Sequence, residues 1–212
     1  MSIKPILFNT EMVRAILDGR KTCTRRLVRF LPGENPQWTG YIRDGLMLYN
    51  GRNEPCIIKV PYQPGDTLYV RETWCGLPVN EAGHMRGHTI YYYKADGELR
   101  PKGWRGTWHP SIHMPKEAAR IWLKVTDVRV ERLQEITDNE CIKEGIYPSN
   151  CRDCNDIFGC DVCPDEGYDE VDKFVEVWNS TIKKSDLNRY GWNASPWVWV
   201  IEFERCEKPE GV

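Results

Sequence analysis

No stretch of this sequence stays apolar for long. The longest such run, Trp197 to Ile201, is far short of the roughly 20 residues a bilayer-spanning helix needs. The N-terminus, MSIKPILFNTEM, lacks a secretory h-region. A soluble, cytoplasmic protein with no membrane partner is therefore expected. Excess charge of one sign is missing too: 29 basic against 31 acidic side chains leave −2, so no global field points to nucleic acid or membrane. Internal repeats and low-complexity linkers are absent, and 41% hydrophobic with 28% charged residues excludes a disordered chain, a collagen or a coiled coil. Histidines are few. His84, His88, His109 and His113 have spacings that suit metal ligands on a helix, but Gly83, Gly87 and Pro110 oppose regular helices there.

What is present begins with length: 212 residues can bury a real core, and one domain over 1–212 is expected. Cysteine is plentiful, at nine, and unevenly placed. Cys23, Cys56, Cys75, Cys141 and Cys206 stand singly, whereas Cys151, Cys154, Cys160 and Cys163 form two C-x-x-C pairs. A secreted disulfide scaffold would spread its pairs, so reduced thiols plus one metal cluster are expected. Four thiolates at this spacing suit a tetrahedral zinc ion; iron and two strained disulfides are the alternatives. A full shell of four sulfurs leaves no position for water, which makes the zinc structural. The expected knuckle is an insertion at 148–168, and its acids (Asp153, Asp156, Asp161, Asp165, Glu166) suit a protein partner better than phosphate. No organic cofactor is implied.

The pattern of elements is mostly strand. PILFN reads as a short strand, and Asn9 or Thr10 caps a helix with Met12, Val13, Ile16 and Leu17 at helical spacing, ended by Gly19. Strands follow in RKTCTRRLVRF, in YIRDGLMLYN as a hairpin about Asp44-Gly45, and in CIIKV, TLYVRETW and TIYYYK. IWLKVTDVRVERL is a long strand whose alternation breaks near Thr126-Asp127, as a bulge would make it. Short helices are expected at 136–143 and 169–181, and PWVWVIEFER is a closing strand. The expected class is α+β, mainly β: a closed or nearly closed barrel with three short flanking helices and the zinc knuckle. A doubly wound sheet is excluded because strands do not alternate with long helices.

Positive charge is local. Arg14, Arg20, Lys21, Arg25, Arg26 and Arg29 face only Asp18 in the stretch 14–29, and such a patch can bind phosphate whatever the net charge, because screening confines charges to roughly 8 Å. A solvated strand face is the bland alternative. Within GRKTCTRR, Lys21 lies beside Thr22 and Thr24. A threonine becomes a nucleophile only with a neighbouring base, and a lysine is a base only when burial or nearby cations lower its pKa.

Taken in order, ILDGRKTCTRR after an N-terminal helix, PGDTLYVRETW, ITDNECIKEGI after a long strand, and WVWVIEFE resemble the ASCH domain family, of the PUA-like superfamily of β-barrels. WHPSIHMPKEAARIWLKVTDVRVERLQEIT resembles a phage- and prophage-borne branch of it. The resemblance implies binding of RNA or a modified nucleoside. It also implies the Lys/Thr/Glu constellation of N4-acetylcytidine amidohydrolases, which falls here on Lys21, Thr24 and Glu144 as base, nucleophile and acid. This chain carries Arg25 where those compact enzymes have an apolar residue, and it is about twice their length. Metal-independent ribonuclease chemistry and a non-enzymatic adaptor role are the alternatives.

Other candidate ligand contacts follow from residue chemistry. Arg20, Thr22, Arg25 and Arg26 belong to the basic turn. Arg71, Glu72 and Trp74 end a strand, where Arg and Glu either form a structural ion pair or face a ligand on which Trp74 stacks. Trp108 lies in RPKGWRGTWHPSIH, a loop mixing Trp with Arg and Lys.

Overall fold

The computed structural model describes residues 2–29, 47–49, 55–57, 60–79, 88–97, 107–147 and 170–211. These group into two compact units. The cysteine segment 151–163, with the expected insertion at 148–168, lies outside the described residues, as does the first arm of the hairpin expected about Asp44-Gly45.

The first unit comprises Met1–Arg20, Gly65–Lys124 and Phe203–Val212. Strand β1 (Ile3–Leu7) runs parallel to β5 (Thr67–Arg71), with Ile3 opposite Thr67, and β5 pairs antiparallel with the start of β8 (Trp122–Arg132). Between β1 and the basic turn lies helix α1 (Thr10–Leu17), opened by the Asn9 side chain, which accepts the Met12 N–H at 2.8 Å, and burying Val13, Ala15 and Ile16. Strands β6 (Trp74–Val79) and β7 (His88–Tyr93) form a separate antiparallel ribbon. Met114, Ala118, Ala119 and Trp122 make the core on which Tyr69, Trp74, Tyr91 and Tyr93 pack.

The second unit comprises Lys21–Pro64 and Val125–Glu202. Strand β2 (Cys23–Leu27) pairs antiparallel with β9 (Trp197–Cys206), Cys23 opposite Glu202 and Leu27 opposite Val198. A small ribbon joins β3 (Met47–Tyr49) to β4 (Pro55–Ile57). Helices α2 (Asp138–Lys143), α3 (Glu170–Thr181) and α4 (Leu187–Tyr190) follow β8. Cys23, Leu133, Ile136, Cys141, Phe174, Trp178, Val198 and Val200 form the core. Strand and helix residues of period 2 and 3.6 thus meet in one apolar cluster.

Hydrogen bonding orders five strands β1-β5-β8-β9-β2, and the two ribbons stand apart from them. The class is α+β and mainly sheet, but no closed barrel exists among the described residues: no pairing joins β1 to β2. The reason is local. TLYVRETW reads as one strand, yet the chain leaves it at Glu72-Thr73, and β6 then pairs with β7 instead of extending the sheet. A fourth helix, α4, joins the three expected segments. Strand β8 runs unbroken, and its alternation of buried and exposed residues slips where Thr126 and Asp127 are both exposed.

Candidate active site

The segment after α1 meets the end of α2. Helix α2 opens at Thr137, whose backbone N–H is accepted by the Glu140 carboxylate at 3.1 Å. It closes at Glu144, followed by Gly145 at φ 94°. Gly145 N–H bonds to Ile142 O at 2.8 Å and Ile146 N–H to Cys141 O at 3.1 Å, which is the paired bonding of a glycine-terminated helix. This stop fixes where the carbonyl and side chain of Glu144 leave the helix. Both are taken by Lys21: its Nζ donates to Glu144 O at 2.7 Å and to Glu144 Oε2 at 2.5 Å. Thr22, itself exposed, donates its backbone N–H to Lys143 O at 2.9 Å. The helix end, where carbonyls lack partners and the dipole is negative, is thus capped by a cation and an amide from the basic turn.

The pair is dry. The Lys21 side chain is 0% and the Glu144 side chain 5% exposed. Burial lowers the Lys21 amine below the ordinary lysine value; attraction to Glu144 opposes the shift and nearby Arg26 adds to it. Among the described residues, this is a lysine placed to lose a proton.

Arg25 is buried completely and stands among three carboxylates. Its Nη2 lies 3.2 Å from Glu131 Oε2 and 3.1 Å from Glu140 Oε2, and its Nη1 lies 3.5 Å from Glu144 Oε1. Its Nε–H is buried without a hydrogen-bond partner. Arg129 takes the other oxygens of the same acids, Glu140 Oε1 at 2.7 Å and Glu131 Oε1, and reaches Glu202 Oε1 at 2.6 Å. Glu140 is held below the ordinary carboxylate value: burial pushes its pKa up, but the Thr137 N–H, Arg25 and Arg129 outweigh it. Arg26 is half-buried and its guanidinium is pushed down by burial, against the attraction of Glu144 and Tyr62.

Thr24 is also buried, opposite Ile201 of β9. Strand alternation sends Cys23, Arg25 and Leu27 to the face that packs with Cys141 and Phe174, and Thr24 and Arg26 to the other, from which Arg26 still acts on Lys21 and Glu144. Burial pushes the Cys23 thiol up to about 12, with Glu144 adding to it, and burial takes Cys141 to the same value. Neither thiol is a nucleophile at neutral pH.

The remaining candidates lie in the first unit, where the charged ones are held by its own groups. Arg20 pairs with Asp18 at 3.0 Å. Arg71 donates to the carbonyls of Met114, at 2.8 Å, and Ile112. Glu72 accepts a fork from Arg120, 2.9 and 3.1 Å. Trp74 is half-buried against Tyr91 and His109, with ring centroids 5.7 and 5.1 Å away, and Trp108 is half-buried nearby in sequence. No group of three or more His, Cys, Asp or Glu suited to a metal occurs among the described residues, and none of their helices is long and apolar enough to cross a membrane.

The sequence reading missed Glu131, Glu140, Arg129 and Glu202. One signal was available: Arg25 shares strand parity with Cys23 and Leu27, so a charged residue faces the core and requires buried counter-charge.

No family model and no curated protein matches the chain. It is similar to a crystal structure of an ASCH domain from Lactobacillus crispatus JV V101, at 11% identity and a TM-score of 0.43, over 96% of this chain and 79% of that one.

Proposed function

We propose that the protein binds RNA or a modified nucleoside and hydrolyses an acyl amide on a cytidine-type base. One observation carries the reading: a fully buried Lys21 Nζ lies 2.5 Å from Glu144 Oε2, although 123 positions separate the residues. The ASCH-like order of sequence motifs supplies the substrate class.

In its neutral form the pair holds one proton on Glu144 and a lone pair on Lys21. Thr24 Oγ attacks the acyl carbon and passes its proton to Lys21 Nζ. The C–N bond breaks as Glu144 gives its proton to the leaving exocyclic nitrogen, so an acyl-threonine, an ammonium and a carboxylate remain. Proton transfer across the 2.5 Å contact restores the neutral pair. Water then attacks the ester, losing its proton to Lys21, and Glu144 protonates the departing Thr24 oxygen. The sum is amide plus water to carboxylic acid plus amine. Two further cations of the basic turn, the half-buried Arg26 and the exposed Arg29, hold phosphate in this reading.

Acetate release from N4-acetylcytidine, free and within RNA, tests the chemistry. Activity is expected in the wild type and lost in Glu144→Gln with folding kept; an inactive wild type across acylated nucleosides overturns the hydrolase reading. Salt-sensitive RNA affinity should fall in an Arg26→Gln, Arg29→Gln double variant, and unchanged affinity removes the turn as a phosphate site. Zinc at Cys151, Cys154, Cys160 and Cys163 belongs to the same proposal, supported by their spacing. Elemental analysis should give about one equivalent per chain, and a metal-free folded preparation overturns it.

A further inference from the structure

Arg25 occupies an unusual position for a charged residue. Its side chain is 0% exposed, on a strand face whose neighbours of the same parity, Cys23 and Leu27, enter or flank the apolar core. The oxygens around it are divided without overlap. Arg129 holds Oε1 of Glu131 and of Glu140, and Arg25 faces Oε2 of both through Nη2. That leaves Nη1 of Arg25 toward Glu144 Oε1, while Glu144 Oε2 is on Lys21. The chain of contacts runs Glu202, Arg129, Glu131 with Glu140, Arg25, Glu144, Lys21, all within the second unit.

Distances assign the roles. Arg25 is closer to Glu140 and Glu131, at 3.1 and 3.2 Å, than to Glu144, at 3.5 Å. It is anchored by the first two and leans on the third. A planar fork can span carboxylates on both sides, whereas a lysine ammonium is one compact charge on a flexible stem. We infer that Arg25 is a positioning residue: anchored through Glu131 and Glu140, its guanidinium holds Glu144 Oε1 and so turns Oε2 onto Lys21 Nζ. The inference deepens the proposed reaction and rests on it for its catalytic meaning, but the geometry is measurable without turnover.

The test observes Lys21 directly by NMR in protein carrying 15N-labelled lysine. Its amine is held by Glu144 and feels the charges of Arg26 and Cys23; beyond Glu144 the contacts pass to Arg25, then to Glu131 and Glu140, and through Arg129 to Glu202. In the wild type the Lys21 ammonium proton signal should be protected from exchange. Arg25→Lys keeps the charge but cannot span both sides, so protection should drop at least tenfold. Glu131→Gln keeps residue 25 and touches neither Lys21 nor Glu144, and should lower protection several-fold. If Arg25→Lys does not fold, Glu131→Gln decides. Wild-type protection in Glu131→Gln, or full rescue by Lys at position 25, overturns the positioning role and leaves plain charge neutralisation. Where acetate release is measurable, the two variants should also shift its pH profile; absence of activity in the wild type bears on the reaction and leaves the NMR result standing.

Discussion

Each unit buries a glutamate beside a cation, and the two are built differently. In the first, both oxygens of Glu72 sit on Arg120, which also bonds Asp96 at 2.7 Å and covers the Tyr93 ring at 4.0 Å. In the second, the oxygens of Glu144 go to two different cations, Lys21 and Arg25. An arginine keeps its proton in proteins, so the Glu72 fork is an electrostatic clamp. A buried lysine can give its proton up, so the Glu144 pair contains one that can move. Burial acts on opposite partners accordingly. It raises the carboxyl of Glu72, against the pull of Arg120, and it lowers the amine of Lys21.

Breaking the second cluster should have the larger effect. Lys21→Met leaves Glu144 buried with Arg25 as its cation and removes the helix cap. Loss of one partner of a buried pair costs about 3–5 kcal/mol, read as a shift in the urea midpoint, and acetate release should fall by roughly 10²–10⁴-fold. Equal activity in this variant removes Lys21 from the chemistry. Arg120→Met breaks the clamp and should cost about 3 kcal/mol in the same assay with turnover retained, since Glu72 and Arg120 have no part in the proposed steps. A parallel loss of turnover at matched folded fraction would erase the distinction between the clusters.

Acid sharpens the contrast. Glu140 has a folded value below its unfolded 4.5, so its contribution is present above that pH and is lost as pH falls through the lowered value. Glu72 has a folded value above 4.5, so its contribution is present below that pH and is lost as pH rises through the raised value. Denaturation profiles of Glu140→Gln should flatten below pH 4.5 and those of Glu72→Gln above it; matching profiles would show that burial does not treat the two differently. The smallest effect is expected from Gly145→Ala. A side chain at φ 94° should cost about 1 kcal/mol and loosen the Lys21 grip, measured by faster ammonium exchange.

The sequence made some of this legible and not the rest. Helix α1 was readable because cap, periodic residues and Gly19 all lie within eleven positions, 9–19, and β9 because its first half, Trp197 to Ile201, is an unbroken apolar run. Glu144 carries no local mark of its own; only its place after a long strand in the ASCH-like order pointed to it. Arg25 and Arg26 read as one surface patch because adjacent like charges usually share solvent. In a strand they part to opposite faces, and Glu131 and Glu140, distant in sequence, make the buried one tolerable. The Glu72 break escaped notice because nothing in TLYVRETW is a strand breaker; Arg120 and Met114, more than 40 residues on, draw the chain aside there.

The grip of Lys21 on the carbonyl of Glu144, the residue that caps α2, makes that helix a ruler. One residue added between Asp138 and Lys143 would advance the end by about 1.5 Å and turn it by about 100°, sweeping the carboxylate away from the amine while leaving the apolar stripe one step out of phase. Natural relatives should therefore vary in composition along this short helix before they vary in its length.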